Sequence, residues 1–380
     1  ATIGTLGIRY KKKLIKTNLT SPDIITLHQS LENLKKKKID NVIVEASSHG
    51  LDQNRLDNLK FKAGIFTNFS QDHLDYHKTM KAYLNSKLIL FTKLLKSKSH
   101  IITDKSIKEY SILRKISNRR KLKLIDIDKK VDQIKKKKIP LIGTFQIKNL
   151  SMAALAANLC NLSNIKIEKT FTKIKNVDGR LDLIKKFSNN IKVFVDYAHT
   201  PDALYEVITS LKKVYNRKIS LVFGCGGERD FKKRRLMAII AKTFCEKIYV
   251  TDDNPRKENP QKIRKEIIKY LNGSDYFDVG NRSEAIKKAV LNAEPNEIIL
   301  VAGKGHENYQ DYGNKIISIS DKQIIKRLNI KKDIIEKKKQ NYLFNSKILN
   351  KILKNKKFYK VDGLAIDSRD VKKNNLFLAI

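Results

Sequence analysis

Asn41 to Leu56, NVIVEASSHGLDQNRL, holds the transition from which the fold is read. Val42-Ile43-Val44 is an apolar run of the kind that makes a buried strand. Within a few residues the chain turns polar and presents Glu45, Ser47, Ser48, His49, Gln53 and Arg55. Open α/β sheets build their sites in this way, at the carboxyl ends of strands. A strand followed by an ordinary polar loop would look the same in isolation, so repetition along the chain has to separate the two.

The pattern does repeat. Upstream, Thr20-Ser21-Pro22-Asp23 reads as a helix N-terminus, with hydroxyls before Pro and an acid in the first turn, and the helix runs to about Lys38. Downstream, Ala63–Asn68 is a second buried strand that ends in SQDHLDYH, and a helix from about Met80 to Leu95 carries Lys87 in its middle. Ile101-Ile102 and Leu124-Ile125 are weaker strand candidates, and GTFQIKN (143–149) leads into a helix over Met152–Cys160. From Val177 onward, strand cores at Val193–Val195, Ser220–Phe223, Ile248–Val250 and Ile298–Val301 are followed by DYAHTPDAL, GCGGERD, TDDNPR and GKGHE. Helical stretches separate them, which describes a second α/β domain with its loops at one sheet edge. The expected division is 1–176, 177–328, a charged linker 329–342, and a further small unit 343–380 that opens with a helix over Leu343–Lys356.

Composition bounds the function classes. No apolar run approaches the ~20 residues that cross a bilayer. Cys160, Cys225 and Cys245 are odd in number and lack CxxC spacing, which points to neither a disulfide framework nor a zinc site and favours a reducing cytosol. The net charge of +41, from 80 Lys+Arg against 39 Asp+Glu, points toward nucleic acid. Only 15 of those cations are Arg, however, and the 65 Lys are spread diffusely beside abundant Ile and Asn, as an AT-rich genome produces. Solvated lysine faces account for the charge better than a dedicated groove. An arginine kept inside a motif therefore carries more weight than a lysine.

Three sets of residues carry candidate chemistry. Glu45, His73 and Lys87 put a carboxylate, an imidazole and an amine near adjacent strand ends, a set suited to a magnesium-phosphate site. Asp196 and His199 in DYAHTP, with Arg180 before them, form the second set; a structural turn capped by Asp and Pro is its plain alternative. Gly224, Gly226 and Gly227 would let backbone approach an anion, although glycine also serves simple turn geometry. In the third set, Arg229 and Arg256 on neighbouring loops suit bidentate carboxylate recognition, and Glu307 offers a carboxylate for an ammonium. Carboxylate binders and an ammonium binder on one edge suit an amino acid.

With these stretches in hand the chain resembles the Mur ligase family, in particular its diaminopimelate-adding members. The resemblance rests on EASSHGLDQNRL, FTNFSQDHLDYH, DGRLD, VDYAHTPDAL, VFGCGGERD, TDDNPR and LVAGKGHENYQ, which follow the family's order from about residue 1 to 328. It implies an α/β architecture: a central ATPase-type domain truncated at its N-terminus, a C-terminal Rossmann-like domain, then a fragment of a further small α/β domain. It also implies ATP-dependent amide synthesis through an acyl phosphate, joining meso-2,6-diaminopimelate to UDP-N-acetylmuramoyl-L-alanyl-D-glutamate in peptidoglycan precursor synthesis, in the cytoplasm. Under it Glu45 and His73 bind Mg2+, and Lys87 carries a CO2-derived carbamate that supports a second ion. Thr20, Ser21, Ser47, Gln53 and Arg55 match positions that contact the UDP-linked dipeptide. Arg229, Asp253, Asn254, Pro255, Arg256, Gly303 and Glu307 match the diaminopimelate pocket, with Arg256 holding the carboxylate that lysine lacks. Asn149, Arg180, Asp196 and His199 match the nucleotide side.

Departures from the family pattern are equally specific. No G-x-x-x-x-G-K-[ST] occurs in the chain, and the phosphate loop is expected upstream of Ala1. The uridine-gripping N-terminal domain is likewise expected outside the chain, and the 380 residues alone are expected not to turn over ATP. Gln146 stands where the family usually has Asn, and Arg235 replaces a common Pro. The tail DGLAIDSRDVKKNNLFLAI resembles the start of a D-alanyl-D-alanine-adding Mur ligase, so a fusion of two ligases is expected. The rival readings are a lysine-adding relative, a catalytically dead regulatory module, and a basic nucleic-acid-binding protein. The last would require several phosphate contacts along a basic stripe, whereas the candidate residues cluster at strand ends.

Overall fold

The computed structural model describes residues 1–137 and 139–329, with two short strands beyond them. The chain opens with β1 (Thr2–Gly4), β2 (Gly7–Tyr10) and β3 (Lys13–Ile15), followed by α1 (Ile24–Lys36), β4 (Ile43–Val44) and α2 (Ser48–Asp52). Next come β5 (Phe61–Phe66), α3 (Leu74–His77), α4 (Met80–Ile89), β6 (Leu95–Thr103), α5 (Tyr110–Arg120), β7 (Lys123–Asp126), α6 (Asp128–Lys135), α7 (Thr144–Leu159) and α8 (Asn164–Phe171). A second series follows: β8 (Asp182–Lys186), β9 (Lys192–Val195), α9 (Pro201–Tyr215), β10 (Ile219–Phe223), α10 (Lys232–Phe244), β11 (Lys247–Val250) and α11 (Pro260–Ile268). It closes with β12 (Asp275–Asp278), α12 (Arg282–Leu291), β13 (Ile298–Val301), the hairpin β14 (Tyr309–Asp311) and β15 (Ile316–Ser318), and α13 (Asp321–Arg327). Farther on, β16 (Gly363–Ala365) and β17 (Asn375–Phe377) pair in parallel. All but the first residue of the linker expected at 329–342, and the helix expected at 343–356, lie outside the described residues.

Three sheets carry the body of the fold. The first has order β3-β2-β1-β4, the second is the parallel β5-β6-β7, and the third has order β12-β11-β10-β13-β9-β8. In the third sheet, β9, β10, β11, β12 and β13 run parallel, and β8 pairs antiparallel at one edge. Its central strands are apolar throughout because helices cover both faces; every residue of β10 and β13 is buried. Phe194, Leu221, Val250 and Leu300 form one core with α9, α10 and α11, while Val193, Val222, Tyr249 and Ile299 form another against α12 and α13. Ile3, Leu27, Leu56, Phe91 and Ile101 anchor the core of the N-terminal half.

Local chemistry explains where the helices start. Asp23, Ser47, Thr79 and Thr200 each accept a backbone N–H with a side-chain oxygen at an N-cap, and Pro201 opens α9 just inside its cap. The cap of α1 is thus Asp23, and the helix ends at Lys36. Among the described residues no helix is long and apolar enough to cross a membrane.

Three expectations are corrected. The opening strand is not buried: β4 has two residues at the edge of its sheet, and Ile43 is 65% exposed because only β1 pairs with it. Its apolar run reads as interior, but burial follows from neighbours, not from composition. The segment 143–149 is not a lead-in to a helix. It is the cap and first turns of α7, which begins at Thr144, with Gly143 at φ +92° capping it; a Cβ there would lie 2.7 Å from Ser210 Oγ. Ile142 and Phe145 pack on the core of the third sheet, so α7 begins against the C-terminal half. Finally, α4 ends at Ile89 and continues as a π-helical turn over Leu90–Leu94, which puts Lys87 in its last turn.

Candidate functional site

Glu45 leaves the end of β4 with its N–H donating to Ile3 O at 2.8 Å. Its Oε2 accepts from Thr5 N at 2.8 Å and Thr5 Oγ1 at 2.9 Å, and a Cβ at Gly4 would sit 2.5 Å from it. Gly4 therefore gives the carboxylate room to lie across the end of β1. Thr5 Oγ1 is 3.1 Å from Thr20 Oγ1. Buried Ser21 donates to Glu45 O at 2.7 Å and accepts from Ser47 N at 3.0 Å, and Arg55 Nη1 donates to Ser21 O at 2.9 Å. Arg55 Nη2 also donates to Gln53 Oε1, and Gln53 Nε2 donates to Tyr76 Oη at 3.0 Å. All five residues expected on the acceptor side, Thr20, Ser21, Ser47, Gln53 and Arg55, thus belong to one hydrogen-bonded patch with Glu45.

His73 caps α3 in the left-handed region at φ +55°, its ring 5.0 Å from His49 and 5.7 Å from Tyr83. Burial holds its imidazole below the ordinary value against the opposing charge of Asp72, leaving a lone pair available. Lys87 Nζ lies 5.0 Å from the Tyr83 ring centroid, so buried Tyr83 adjoins both His73 and Lys87. Burial also lowers the Lys87 amine, against the pull of Asp72 and Glu45. Among the described residues Lys87 forms no ion pair with a carboxylate.

The C-terminal half meets this patch through residues 71–75. His199 Nε2 lies 3.3 Å from Asp72 Oδ2, Gln71 Nε2 donates to Asp230 Oδ2 at 2.7 Å, and Arg229 Nη1 pairs with Asp75 Oδ2 at 3.1 Å. Burial alone would raise the Asp72 carboxyl, but His199, His73 and Lys233 together hold it well below the usual carboxylate range. The His49 imidazole is lowered first by burial, with Asp75, Arg229, Arg55 and Asp52 all acting on its charge. One electrostatic neighbourhood therefore includes residues from both halves.

The loops after β9, β10, β11 and β13 gather at one edge, as parallel strands require. Asp196, after β9, is buried and accepts from Leu181 N at 2.6 Å and Ala198 N at 2.7 Å; burial pushes its carboxyl up against those bonds. It works as the brace of the turn that sets Arg180, whose guanidinium lies 4.3 Å from the Tyr197 ring centroid. Gln146 Nε2 donates to Arg180 O at 3.3 Å, and exposed Asn149 follows three residues later on the same face of α7. Gly303, at φ +107°, donates its N–H to Asp196 O at 3.1 Å, joining two of the loops.

In the DNPR loop, Asn254 Oδ1 accepts from Lys304 Nζ at 2.9 Å and Asp311 N at 3.0 Å, and its Nδ2 donates to Glu307 Oε2 at 3.0 Å. The expected ammonium acceptor, Glu307, is thus already paired at 2.7 Å with Lys304, which is only 1% exposed. Arg256 Nη1 donates to Gly227 O at 2.9 Å, and its Nε lies 3.9 Å from Asp311 Oδ2. Pro255 O closes on Gly227, where a Cβ would lie 2.0 Å from it, so only glycine fits. Among the described residues Asp253 Oδ2 is buried without a hydrogen-bond partner. Gly226 lies between the two arginines, since a Cβ there would be 3.1 Å from Arg256 Nη1 and 3.7 Å from Arg229 Cγ.

Comparison with known proteins decides the family. Residues 1–157 match the Mur ligase middle domain, and residues 179–305 match the domain described as Mur ligase, glutamate ligase domain. The UDP-N-acetylmuramoyl-L-alanyl-D-glutamate–2,6-diaminopimelate ligase of Rickettsia montanensis is 39% identical over 354 residues, covering 86% of this chain and 73% of that protein. This chain belongs to the Mur ligase family. The corresponding ligase of Brucella melitensis is 36% identical, over 84% of this chain and 70% of its own. A solved structure of a ligase of the same name matches with TM-score 0.55 at 29% identity, covering 86% of this chain and 71% of that one. Mycobacterium tuberculosis folylpolyglutamate synthase in complex with ADP and AMPPCP shares the fold alone, with TM-score 0.58 at 14% identity over 74% of this chain and 73% of its own. Members of the Mur ligase family are ATP-dependent ligases that generally use Mg2+.

The donor chemistry at Glu45, His73 and Lys87 fits such an ion. Glu45 keeps Oε1 out of its bonds to Thr5, His73 has a lone pair, and Lys87 is an amine held below its ordinary value. Among the described residues the gathered acidic triad lies elsewhere, at Asp104, Asp126 and Asp128. There Lys148 and Lys105 already supply cations, each within 2.5 Å of an acid. Sequence reading missed Thr5, Tyr83, Asp75 and Lys304. The first two carry no motif of their own, whereas Lys304 sat in plain view inside GKGHE but was overshadowed by the abundance of lysine.

Proposed function

We propose that the chain acts in an ATP-dependent ligase that joins meso-2,6-diaminopimelate to UDP-N-acetylmuramoyl-L-alanyl-D-glutamate in the cytoplasm. The observation that carries this reading is the Asp253–Arg256 loop, which sets an arginine beside a Glu307–Lys304–Asn254 network, next to a loop after β10 that residues 71–75 hold through Asp230 and Arg229. Thr20, Ser21, Ser47, Gln53 and Arg55 would hold the dipeptide so that its glutamate carboxylate meets the γ-phosphoryl of ATP, giving an acyl phosphate. Arg256 and Arg229 would take carboxylates of the incoming amino acid bidentately. Asp253 Oδ2, without a partner among the described residues, and Glu307, whose Oε2 takes the Asn254 and Lys304 bonds, offer acceptors for its distal ammonium. Arg180, braced by Asp196, and Asn149 would lie on the nucleotide side, with His199 tying that loop to Asp72.

Glu45, His73 and a Lys87 carbamate would hold magnesium, which supplies charge neutralisation for the transferring phosphoryl group. The carbamate requires a neutral amine: nitrogen attacks CO2, the N–C bond forms, and a proton leaves. Burial of Lys87 favours that neutral form. The test is a competition between meso-diaminopimelate and L-lysine on the full-length protein, with ATP and the UDP-linked dipeptide, read by product mass. The expected product is the diaminopimelate tripeptide; a lysine product, or none with either amino acid, overturns the reading.

A further inference from the structure

We propose that Asp75 is a positioning residue for Arg229, aiming the guanidinium at the amino-acid carboxylate from across the interface between the two halves. This rests on the reading of Arg229 as a carboxylate binder. Arg229 is the least constrained of the site's arginines, its side chain 49% exposed and its sole ion pair among the described residues made to Asp75 at 3.1 Å. A free arginine of that length samples many rotamers, and ordering it on binding costs affinity. The contact uses one nitrogen, Nη1. The edge formed by Nε and Nη2 is left for a two-point grip on a second carboxylate.

Asp75 is well placed for this task. It lies in α3, which His73 caps, on the segment that also makes the Gln71–Asp230 and Asp72–His199 contacts. Three contacts from 71–75 therefore fasten the loops after β9 and β10 to the acceptor patch. The one at Asp75 ends on a side chain facing the amino-acid pocket: Arg229 Cγ and Arg256 Nη1 flank the same glycine, Gly226. Asp75 is itself 25% exposed, so the pair lies at the solvent-facing side of the contact. Arg229 is held in place only when the two halves are together. The carboxylate grip is consequently complete only in the arrangement that brings acceptor and amino acid face to face.

The test is a double-mutant cycle on meso-diaminopimelate binding, measured by titration calorimetry with the full-length protein carrying ATP analogue and UDP-linked dipeptide. Asp75→Asn should weaken binding by roughly three- to fivefold, the range of a half-exposed ion pair. Asp75→Glu should recover part of that loss. Arg229→Gln should weaken it further, and Asp75→Asn should then have no additional effect in the Arg229→Gln background. Thermal melting of each variant separates lost binding from lost folding. An Asp75→Asn protein that binds as well as or better than the parent, while Arg229→Gln binds poorly, overturns the proposal alone; additive losses do the same. An Arg229→Gln protein with undiminished affinity overturns the underlying reading of Arg229, and the proposal with it.

Discussion

Lys304→Met is the substitution whose outcome tests the amino-acid edge most severely. Lys304 is 1% exposed, and its Nζ contacts Glu307 Oε2 at 2.7 Å and Asn254 Oδ1 at 2.9 Å. Methionine keeps much of the stem's volume but gives up the Nζ contact with the Tyr309 ring, so the change removes charge more than bulk. Glu307 would be left with the Asn254 amide as its remaining partner. Removing one member of a buried pair typically costs about 3–5 kcal/mol. The Glu307 side chain keeps 16% of its exposure, so the lower end applies, about 3 kcal/mol. For a unit of this size that lowers the melting midpoint by roughly 6–12 °C. Differential scanning calorimetry reads the shift, and urea unfolding reads the free energy. Lys304→Met/Glu307→Gln should recover stability relative to Lys304→Met, because deleting both charges leaves no uncompensated carboxylate. A single variant within 1–2 °C of the parent, or a double variant less stable than Lys304→Met, refutes the account of a buried pair that matters.

Arg256→Ala should erase the preference for diaminopimelate over lysine, a loss of at least about tenfold in discrimination, read from competing kcat/KM values. Lys87→Gln should remove a carbamate signal seen in the parent by 13C NMR with labelled bicarbonate; because burial lowers the parent amine, its carbamate should fade as acidification protonates Nζ. Asp321→Ala should destabilise the protein by about 3–5 kcal/mol in urea, since it strands fully buried Arg282, whose Nε and Nη2 donate to Asp321 at 2.8 and 2.7 Å. Arg234, chiefly through its hydrogen bond, holds the Glu258 carboxyl below its ordinary 4.5, so this pair stabilises above that pH and the contribution is lost as pH falls through the lowered value. Glu258→Gln should flatten the acid limb of stability against pH.

The C-terminal strands were readable because each is a run of apolar residues closed by a polar burst, and β9, β10, β11 and β13 fall where those runs predict. The edge strands β8 and β12, with Lys, Asp and Tyr exposed on their open sides, carry no such run. Of the proposed acceptor patch, Glu45, Ser47, Gln53 and Arg55 share one motif, Thr20 and Ser21 belong to another stretch and Thr5 to none, and the status of the strand was not legible because edge position depends on partners distant in sequence. Contacts across the halves were illegible for the same reason. Asp75 and Arg229 are separated by 154 positions, and neither motif hints at the other.

The strongest signal in the composition, +41, turns out to say little about the site. The three cations proposed for the amino-acid edge each have an internal acceptor: Lys304 has Glu307, Arg229 has Asp75, and Arg256 has carbonyls and, more distantly, Asp311. An anion arriving there meets no bare positive field. It meets particular unfilled donor edges whose directions those internal acceptors set. On the proposed function, selection by direction and not by net charge would let a lysine-rich chain discriminate between two amino acids that differ by one carboxylate. It also predicts a modest salt dependence for amino-acid binding, because neutralised pairs shed few counterions. A slope as steep as nucleic-acid binders show would contradict that, since those lose ~10³–10⁵ in affinity between 50 and 200 mM salt.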